Sequence, residues 1–313
     1  MYNPSKPFKH EMLRLIQQTW NTPHVEVSSG IYPIVKKKFS YLEIDHTDGI
    51  GSKAQYHWKK KTFKAAVLDA LAMNLNDLAL ARATPYKLQN HLAMPEDNHE
   101  IMLEIIKHLS EECKKRNIAI TGGETTQQAS SFDITITLSG FIPNIKENKT
   151  KKGDVIIGIK SSGLHSNGFT RIREIFKEEI RKEFAEPTLI YADTILELDK
   201  RFTINGMMHM TGGAFTKLKD IAEKVDLEIT RNHSLHPQPI FQELSQKGIQ
   251  DEEMYRTFNC GIGFILSTLE EESNEIIKEI KKAGFQADII GKALSGTGKI
   301  KIQSMFSNKI VEF

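Results

Sequence analysis

Cysteine is scarce in this sequence, since the 313 residues include only Cys113 and Cys260. Two cysteines exclude a disulfide framework and a cysteine-based zinc site, and they favour a reducing compartment. No apolar run approaches the roughly 20 residues that a membrane-spanning helix requires. The first residues also lack the apolar segment of a secretory signal peptide. We therefore expect a cytoplasmic protein with no membrane partner.

The sequence also lacks an excess of charge of either sign. It has 42 Lys and Arg against 40 Asp and Glu, which gives a net charge of +2 at pH 7. Proteins that bind nucleic acid or anionic membranes usually carry a marked basic excess, so this balance argues against nucleic acid as a partner. Hydrophobic residues at 39% and charged residues at 26% are ordinary globular values.

The two commonest nucleotide-binding motifs are absent as well. The chain contains no GxxxxGK[ST] segment and no GxGxxG segment after a predicted strand. Instead, at least five short segments combine glycine with Asp, Glu, Thr, Ser, His or Asn where a strand should end or a helix begin. Such segments can bring backbone N–H groups close to an anion, although each can also be an ordinary connecting loop.

One of these segments follows an apolar run over 155–159 that predicts a buried strand. Small and hydrogen-bonding residues fill 161–168, and apolar residues at helical spacing start at Phe169. A strand, a donor-rich turn and a helix in this order can hold an anion on Ser162, Gly163 and Asn167. An ordinary loop between two elements is the equally weighted alternative.

A second segment, residues 45–53, places Asp48 and Lys53 on either side of two glycines. The carboxylate can hold Mg²⁺ while the glycines let the backbone approach a phosphate. A polar turn that caps the next helix is the alternative. That helix, predicted over 62–82, carries Asp69 and Asn76 on one side.

Asp77 can point the same way as Asn76, towards a place where a hard cation needs oxygen ligands. A solvated stripe of Asn and Asp is the alternative.

The domain organisation follows from a composition change. Residues 143–152 (PNIKENKTKK) are polar and contain a proline, as is typical of a linker. We predict an N-terminal domain over 1–145, a linker over 146–152 and a C-terminal domain over 153–313. Strand and helix patterns occur in both halves, including alternation over 132–139 that predicts a half-buried strand. The expected fold class is therefore α/β (α+β) with two domains.

Taken together, the segments resemble the aminoimidazole ribonucleotide synthetase family, also called phosphoribosylformylglycinamidine cyclo-ligase. The matching segments occur in the family's order: TDGIGSK (47–53), the helix over 69–77, TGGET (121–125), GD (153–154) with SSGLHSNG (161–168), HMTGG (209–213) and MYRTFNCG (254–261). The last two, with SSGLHSNG, are the most specific.

The resemblance implies a homodimer in which the N-terminal domain contributes to a β-barrel at the dimer interface. It implies ATP and Mg²⁺ as cofactors and a small ribonucleotide as substrate. The implied activity is that of a ligase in de novo purine biosynthesis. It cyclises formylglycinamidine ribonucleotide to aminoimidazole ribonucleotide through an iminophosphate intermediate, and ADP and phosphate are released.

The resemblance also implies a division of labour between the halves. Catalytic roles fall to His165, Asn167 and Asp48, and the implied metal ligands are Asp48, Asp77 and Glu124. The implied cofactor contacts are Lys53, Asp69, Asn76, Gly122, Gly123 and Thr125. The implied substrate contacts are Ser162, Gly163, Thr211, Gly212, Gly213, Arg256 and Asn259. The N-terminal domain would then bind ATP and Mg²⁺ and mediate dimerisation, and the C-terminal domain would bind substrate.

One departure from the family keeps alternatives open. Residues 1–40 lack the acidic, glycine-containing segment that usually folds over the nucleotide in the family. The first alternative is another ATP-using enzyme of the superfamily, similar to thiamine-monophosphate kinase. The second is a catalytically silent paralogue that binds nucleotide. Selenophosphate synthetase fits less well, because no cysteine lies near the N-terminus.

Overall fold

The computed structural model describes residues 8–127 and 131–313, which fold into two units. The first unit contains the described residues up to Leu78 together with Arg82–Asn144. The second contains Ala79–Ala81 and Ile145–Phe313. Both mix strands and helices, so the expected α/β class is confirmed. None of the helices in the described residues combines the length and the apolar composition that a bilayer crossing requires.

The first unit is built on a mixed four-stranded sheet with the strand order β3-β6-β4-β5. Its helices are α1 (Phe8–Gln17), α2 (Ala54–Lys60), α3 (Phe63–Leu80) and α4 (His99–Lys115), and its strands are β1 (Val25–Ser28), β2 (Ile34–Lys37), β3 (Leu42–Gly49), β4 (Thr84–Met94), β5 (Ala119–Gln127) and β6 (Asp133–Ile142). Strands β4 and β5 are parallel, and the other neighbours are antiparallel. The β1–β2 hairpin is separate and packs its Val25 against Tyr86 and Phe141 of the sheet.

Within the described residues this sheet is open, so the predicted β-barrel is not closed in a single copy of the chain. Closure requires the two edge strands to pair. Within the described residues β3 pairs only with β6, and β5 pairs only with β4. The β-barrel at a dimer interface therefore remains a prediction about two copies of the chain.

Two of the glycine-bearing segments, expected where a strand ends, are themselves partly or wholly strand. Residues 121–126 belong to β5, because they continue the parallel ladder with β4 as far as Gln127. Similarly, β3 extends to Gly49 because it pairs with β6 along its whole length. The alternating segment over 132–139 is confirmed as a strand and forms most of β6.

The second unit is built on a seven-stranded sheet with the order β13-β12-β9-β11-β7-β10-β8. Its strands are β7 (Val155–Lys160), β8 (Ile204–His209), β9 (Val225–Ile229), β10 (Ile262–Thr268), β11 (Ala287–Ser295), β12 (Ile300–Gln303) and β13 (Ile310–Glu312), and its helices are α5 (Phe169–Phe176), α6 (Ala192–Arg201), α7 (Pro239–Gln246), α8 (Asp251–Thr257) and α9 (Glu270–Lys282). Strands β12 and β9 are parallel, and the other neighbours are antiparallel. Strand β7 is apolar and lies inside the sheet, where Ile157 and Ile159 are fully buried in the core.

Local sequence explains several of the element boundaries. Helix α4 begins after Asn98, whose Oδ1 accepts a hydrogen bond of 3.2 Å from the N–H of Ile101. Helix α7 has Pro239 in its first turn, where a missing N–H costs nothing. Helix α9 begins with three glutamates and ends with two lysines, which complements the helix dipole.

The segment predicted as a linker, residues 146–152, is hydrogen-bonded within the second unit. The Asn148 side chain donates to Met207 O at 3.0 Å and accepts from Met207 N at 2.7 Å. The N–H of Thr150 donates to Ile221 O at 2.8 Å. These bonds attach the segment to β8 and to Ile221 of the second unit.

Candidate functional site

A fully buried ionic cluster lies beside the glycine-bearing segment over 45–53. Lys53 Nζ is 3.0 Å from Asp69 Oδ1 and 2.8 Å from Asp69 Oδ2. The same Oδ2 atom of Asp69 lies 2.7 Å from His57 Nε2, and His57 Nδ1 lies 2.8 Å from Thr62 Oγ1. Lys53, His57 and Asp69 are all 0% exposed. Lys53 and Asp69, both predicted cofactor contacts, thus form a buried ion pair with one another.

The electrostatics of Asp69 follow from this geometry. Burial alone would raise the pKa of the Asp69 carboxyl, because it disfavours the charged form. The Lys53 ammonium and the hydrogen bond with His57 outweigh burial, so the pKa of Asp69 lies well below its ordinary value. The carboxylate therefore stays ionised and holds α3 to the start of α2.

A second polar group joins β3 to α3. His46 Nδ1 lies 3.0 Å from Asn74 Oδ1, and His46 Nε2 lies 3.5 Å from Asp77 Oδ2. The amide of Asn74 donates to Asp48 O at 3.1 Å, and Asp48 Oδ1 accepts from the N–H of Gly49 at 2.8 Å. Asp48 and Asp77, both predicted metal ligands, thus belong to one group, whereas Asn76 is fully buried in α3.

Glu124, the third predicted metal ligand, points to the opposite face of the sheet. Asp48 lies in one cross-strand row with Ile136, Asn90 and Gly123, and Glu124 lies in the next row. Successive residues of a strand alternate between faces, so adjacent rows present opposite sides. Among residues 8–127 and 131–313, no three His, Cys, Asp or Glu side chains gather as a metal site. Asp48, Asp77 and Glu124 therefore do not form one cluster within the described residues of a single chain, and their role as metal ligands stays a prediction.

A cavity of about 1020 Å³ lies at the β5 side of the first unit. Four predicted residues, Gly122, Gly123, Glu124 and Thr125, line its polar wall. Apolar residues of α1 and α4 also line the cavity, namely Met12, Leu13, Ile16, Met102 and Ile106. No residue of α1 is fully buried, so its apolar residues remain accessible from the cavity.

In the second unit, Asn259 holds the loop that follows β7. Its Oδ1 accepts from Ser161 Oγ at 3.0 Å and from the N–H of Gly261 at 2.9 Å. Its Nδ2 donates to Gly163 O at 2.8 Å, and the residue is 1% exposed. Gln238, which the sequence did not suggest, donates to the Ser161 carbonyl at 2.5 Å. Asn259, a predicted substrate contact, therefore positions this loop.

His165 is enclosed by the same loop. It is 1% exposed, and its Nε2 accepts a hydrogen bond of 3.2 Å from the N–H of Ser162. The hydroxyl of Ser162 donates to Pro187 O at 2.6 Å. Gly263 faces this histidine, and a Cβ added there would lie 2.5 Å from His165 Cε1. The His165 ring is thus fixed by packing and by one backbone donor.

Gly168 ends the loop in a conformation that only glycine accepts easily. Its φ is +74°, and an added Cβ would lie 2.2 Å from Phe258 Cε1.

We expect Gly168→Ala to lower the free energy of unfolding by about 2–4 kcal/mol, from left-handed strain plus overpacking. Gly153→Ala is the control, because Gly153 has φ +88° but open space around it. It should cost only the strain, about 1 kcal/mol, in urea unfolding. Equal losses would contradict the predicted overlap with Phe258.

The segment Thr211–Gly213 follows β8 and has open space beside it. Within 4 Å of a Cβ added to Gly212 lies only Asn167 Oδ1, at 3.7 Å. Thr211 is buried and accepts a hydrogen bond of 2.8 Å from Lys217 Nζ. The structure thus brings the predicted residues Asn167, Thr211 and Gly212 together, with Lys217 as an unexpected neighbour.

Arg256 has a different environment. Its side chain is 59% exposed on α8 and forms an ion pair of 2.5 Å with Glu252. The guanidinium also lies 5.7 Å from the centre of the Phe313 ring. Arg256, a predicted substrate contact, therefore lies on the surface of α8.

Comparison with known proteins identifies the family. The models of the AIR synthase related protein match residues 42–142 with their N-terminal domain and 151–303 with their C-terminal domain. The phosphoribosylformylglycinamidine cyclo-ligase of Clostridium perfringens (strain 13 / Type A) is 36% identical over 266 residues, which cover 79% of this chain and 80% of the relative. The enzyme of that name from Methanocaldococcus jannaschii is 36% identical over 277 residues, 81% of this chain and 79% of the relative. The chain belongs to the phosphoribosylformylglycinamidine cyclo-ligase family.

Solved structures similar to this member of the cyclo-ligase family agree on the fold. Thiamine-monophosphate kinase from Stenotrophomonas maltophilia K279a aligns with a TM-score of 0.74 at 16% identity, covering 98% of this chain and 99% of the kinase. Hydrogenase maturation protein HypE in complex with ATP aligns with a TM-score of 0.70 at 14% identity, covering 99% and 95%. At these identities the likeness concerns the fold alone.

Proposed function

We propose that the chain catalyses the ATP-dependent cyclisation of formylglycinamidine ribonucleotide to aminoimidazole ribonucleotide, as the names of its cyclo-ligase relatives imply. The main support for this proposal is the 36% sequence identity to two cyclo-ligases, over about four fifths of this chain and of each relative. The homodimer and the cytoplasmic location expected from the sequence belong to the same proposal. The two roles we assign to the units, nucleotide binding in the first and substrate binding in the second, are part of it as well.

The cavity of the first unit is our proposed site for the nucleotide. Its volume of about 1020 Å³ lies at the upper end of the range typical of small-molecule sites. One wall is apolar and can pack against a purine base, and the other carries the glycines and hydroxyls of β5. The combination of apolar lining residues with a polar strand fits the two ends of a nucleotide.

Magnesium would be held by Glu124 together with the phosphates of the nucleotide. Mg²⁺ in nucleotide sites is commonly bound by one or two carboxylates plus phosphate oxygens and waters. Glu124 is exposed in the cavity wall, so its carboxylate can reach an ion there. The more buried Asp48 and Asp77 would act from the other face of the sheet by holding β3 against α3.

When bound, ATP supplies the phosphoryl group that activates the formyl amide oxygen of the substrate. The contribution of the protein to such a transfer is alignment and charge neutralisation. In the second unit, the loop over 161–168 would orient the substrate through Asn167 and backbone groups. His165 would hold this loop through Ser162 and is our proposed group for exchanging a proton with the substrate.

The test is an assay of ADP release by the full-length chain. We expect release that requires both Mg-ATP and formylglycinamidine ribonucleotide, because the phosphoryl acceptor is the substrate amide. Turnover with thiamine monophosphate instead would contradict the proposal and support a kinase. Tight ATP binding without turnover on either substrate would support a silent paralogue.

A further inference from the structure

The strongest unassigned residue of the second unit is Lys217, which lies beside the predicted substrate contacts of Thr211–Gly213. Gly212 is exposed, and the space above it is open except for the side chain of Asn167. Within the part of the chain that the structure describes, neither Gly212 nor Gly213 donates its N–H to a protein acceptor. Two neighbouring N–H groups at an open surface are suited to an anion.

Lys217 brings a positive charge to this segment. Its Nζ donates to Thr211 Oγ1 at 2.8 Å and lies 3.5 Å from His209 O. Its Cγ would lie 3.2 Å from a Cβ added to Gly213, so the side chain runs along the segment. Both partners are neutral oxygens, and among the described residues no carboxylate pairs with Lys217. Its charge is therefore available to a ligand.

Asn167 adds a further donor from the loop after β7. Its Nδ2 is buried and has no hydrogen-bond partner among the described residues, while its Oδ1 lies beside Gly212. A buried amide donor without an acceptor is costly, commonly by more than a hydrogen bond contributes when it is made. An acceptor supplied by a ligand next to Gly212 would satisfy it.

We propose that Lys217 binds the phosphate monoester of the substrate. It would do so beside the Asn167 amide and the backbone of Gly212 and Gly213, which the family resemblance already implies as catalytic and substrate contacts. One ammonium and several neutral donors match a compact dianion with three acceptor oxygens. This inference rests on the proposed function for the identity of the substrate, a ribonucleotide. It assigns Lys217, a residue that the sequence motifs did not indicate, to phosphate binding.

The competing role for Lys217 is a structural one, in which its hydrogen bond holds Thr211 in place. Ligand-binding measurements distinguish this structural role, called a brace below, from phosphate binding. A brace affects the shape of the loop and hence kcat and stability. A phosphate ligand affects the affinity for any phosphate monoester and the KM for the ribonucleotide, while kcat and the KM for Mg-ATP change little.

The experiment titrates ribose 5-phosphate into the full-length chain by isothermal titration calorimetry. We expect Lys217→Met to weaken binding by roughly tenfold or more, since it removes a charge-assisted hydrogen bond. Lys217→Arg should retain most of the affinity. Lys219→Met is the matched control, because Lys219 lies two residues further on and is exposed, and it should bind as the unaltered chain does. Urea unfolding checks that each variant is folded, and Lys217→Gln replaces Lys217→Met if that variant is not.

No binding of ribose 5-phosphate by the unaltered chain would overturn the inference. Equal affinities of the Lys217→Met and Lys219→Met variants would also overturn it. The ADP-release assay is independent of this titration. Loss of binding in Lys217→Met without any substrate-dependent ADP release would support the phosphate site and contradict the proposed cyclisation.

Discussion

Replacing Asp69 with Asn should lower the free energy of unfolding by about 3–5 kcal/mol, the typical result of removing one partner from a buried ion pair. Asn has nearly the same shape as Asp, so the change leaves Lys53 charged and fully buried without its counter-ion. Urea unfolding followed by circular dichroism measures the loss.

The matched control is Glu26→Gln, also a carboxylate-to-amide change. Glu26 pairs with Lys36 at 3.7 Å, but the two side chains are 58% and 80% exposed. Exposed pairs contribute about 0–1 kcal/mol, so this variant should be nearly neutral. Similar losses in Asp69→Asn and Glu26→Gln would contradict the view that burial of the Lys53 charge sets the cost.

The same pair predicts a pH dependence. The pKa of Asp69 is lower in the folded chain than its ordinary value of 3.8. A lowered carboxyl pKa gives stability that is full above the unfolded value and is lost as the pH falls towards the folded value. The difference between the unaltered chain and Asp69→Asn should therefore be constant above about pH 5 and should shrink below about pH 4.

Local sequence patterns predict much of the fold. The differences between the predicted and the observed elements come from long-range strand pairing. Alternation in β6 and the apolar run of β7 predicted strands because each records the burial of its own side chains. Residues 121–126 resemble a loop locally, with two glycines and polar side chains. They form a strand because β4 supplies a ladder of partners more than thirty residues away in sequence. No local pattern contains that information.

The candidate site shows the same limit. The family resemblance implies cofactor contacts for Asp69 and Lys53, and both residue types can serve that chemistry. Whether a carboxylate binds a metal or a buried lysine depends on which side chain packs against it. No local pattern indicates His57 as the third member of the Lys53–Asp69 cluster. Likewise, Asp48 and Glu124 could be chosen as ligands by residue type. Their separation onto opposite faces depends on the register of β3, β6, β4 and β5.

Because Glu124 lies on the opposite face of the sheet from Asp48, we expect replacement of Glu124 to have the second large effect, on the use of Mg-ATP. If Mg²⁺ and the nucleotide phosphates occupy the cavity, Glu124 is the carboxylate of β5 in its wall. Glu124→Gln should then lower kcat/KM for Mg-ATP by about 10²–10³, the usual result of removing one electrostatic contact to transferring groups. Stability should change little, because the side chain is exposed and Gln can still accept the 2.9 Å hydrogen bond from the N–H of Thr125.

Glu111→Gln is the control, because Glu111 lies on α4 with a side chain that is 49% exposed and lies 3.4 Å from His108 Nδ1. Steady-state rates should be measured over a range of Mg²⁺ concentrations. A metal role for Glu124 requires that excess Mg²⁺ restores part of the activity of Glu124→Gln, because a weakened site fills by mass action. A loss that Mg²⁺ does not change would assign Glu124 to the nucleotide itself, and no loss at all would place the transfer outside this cavity.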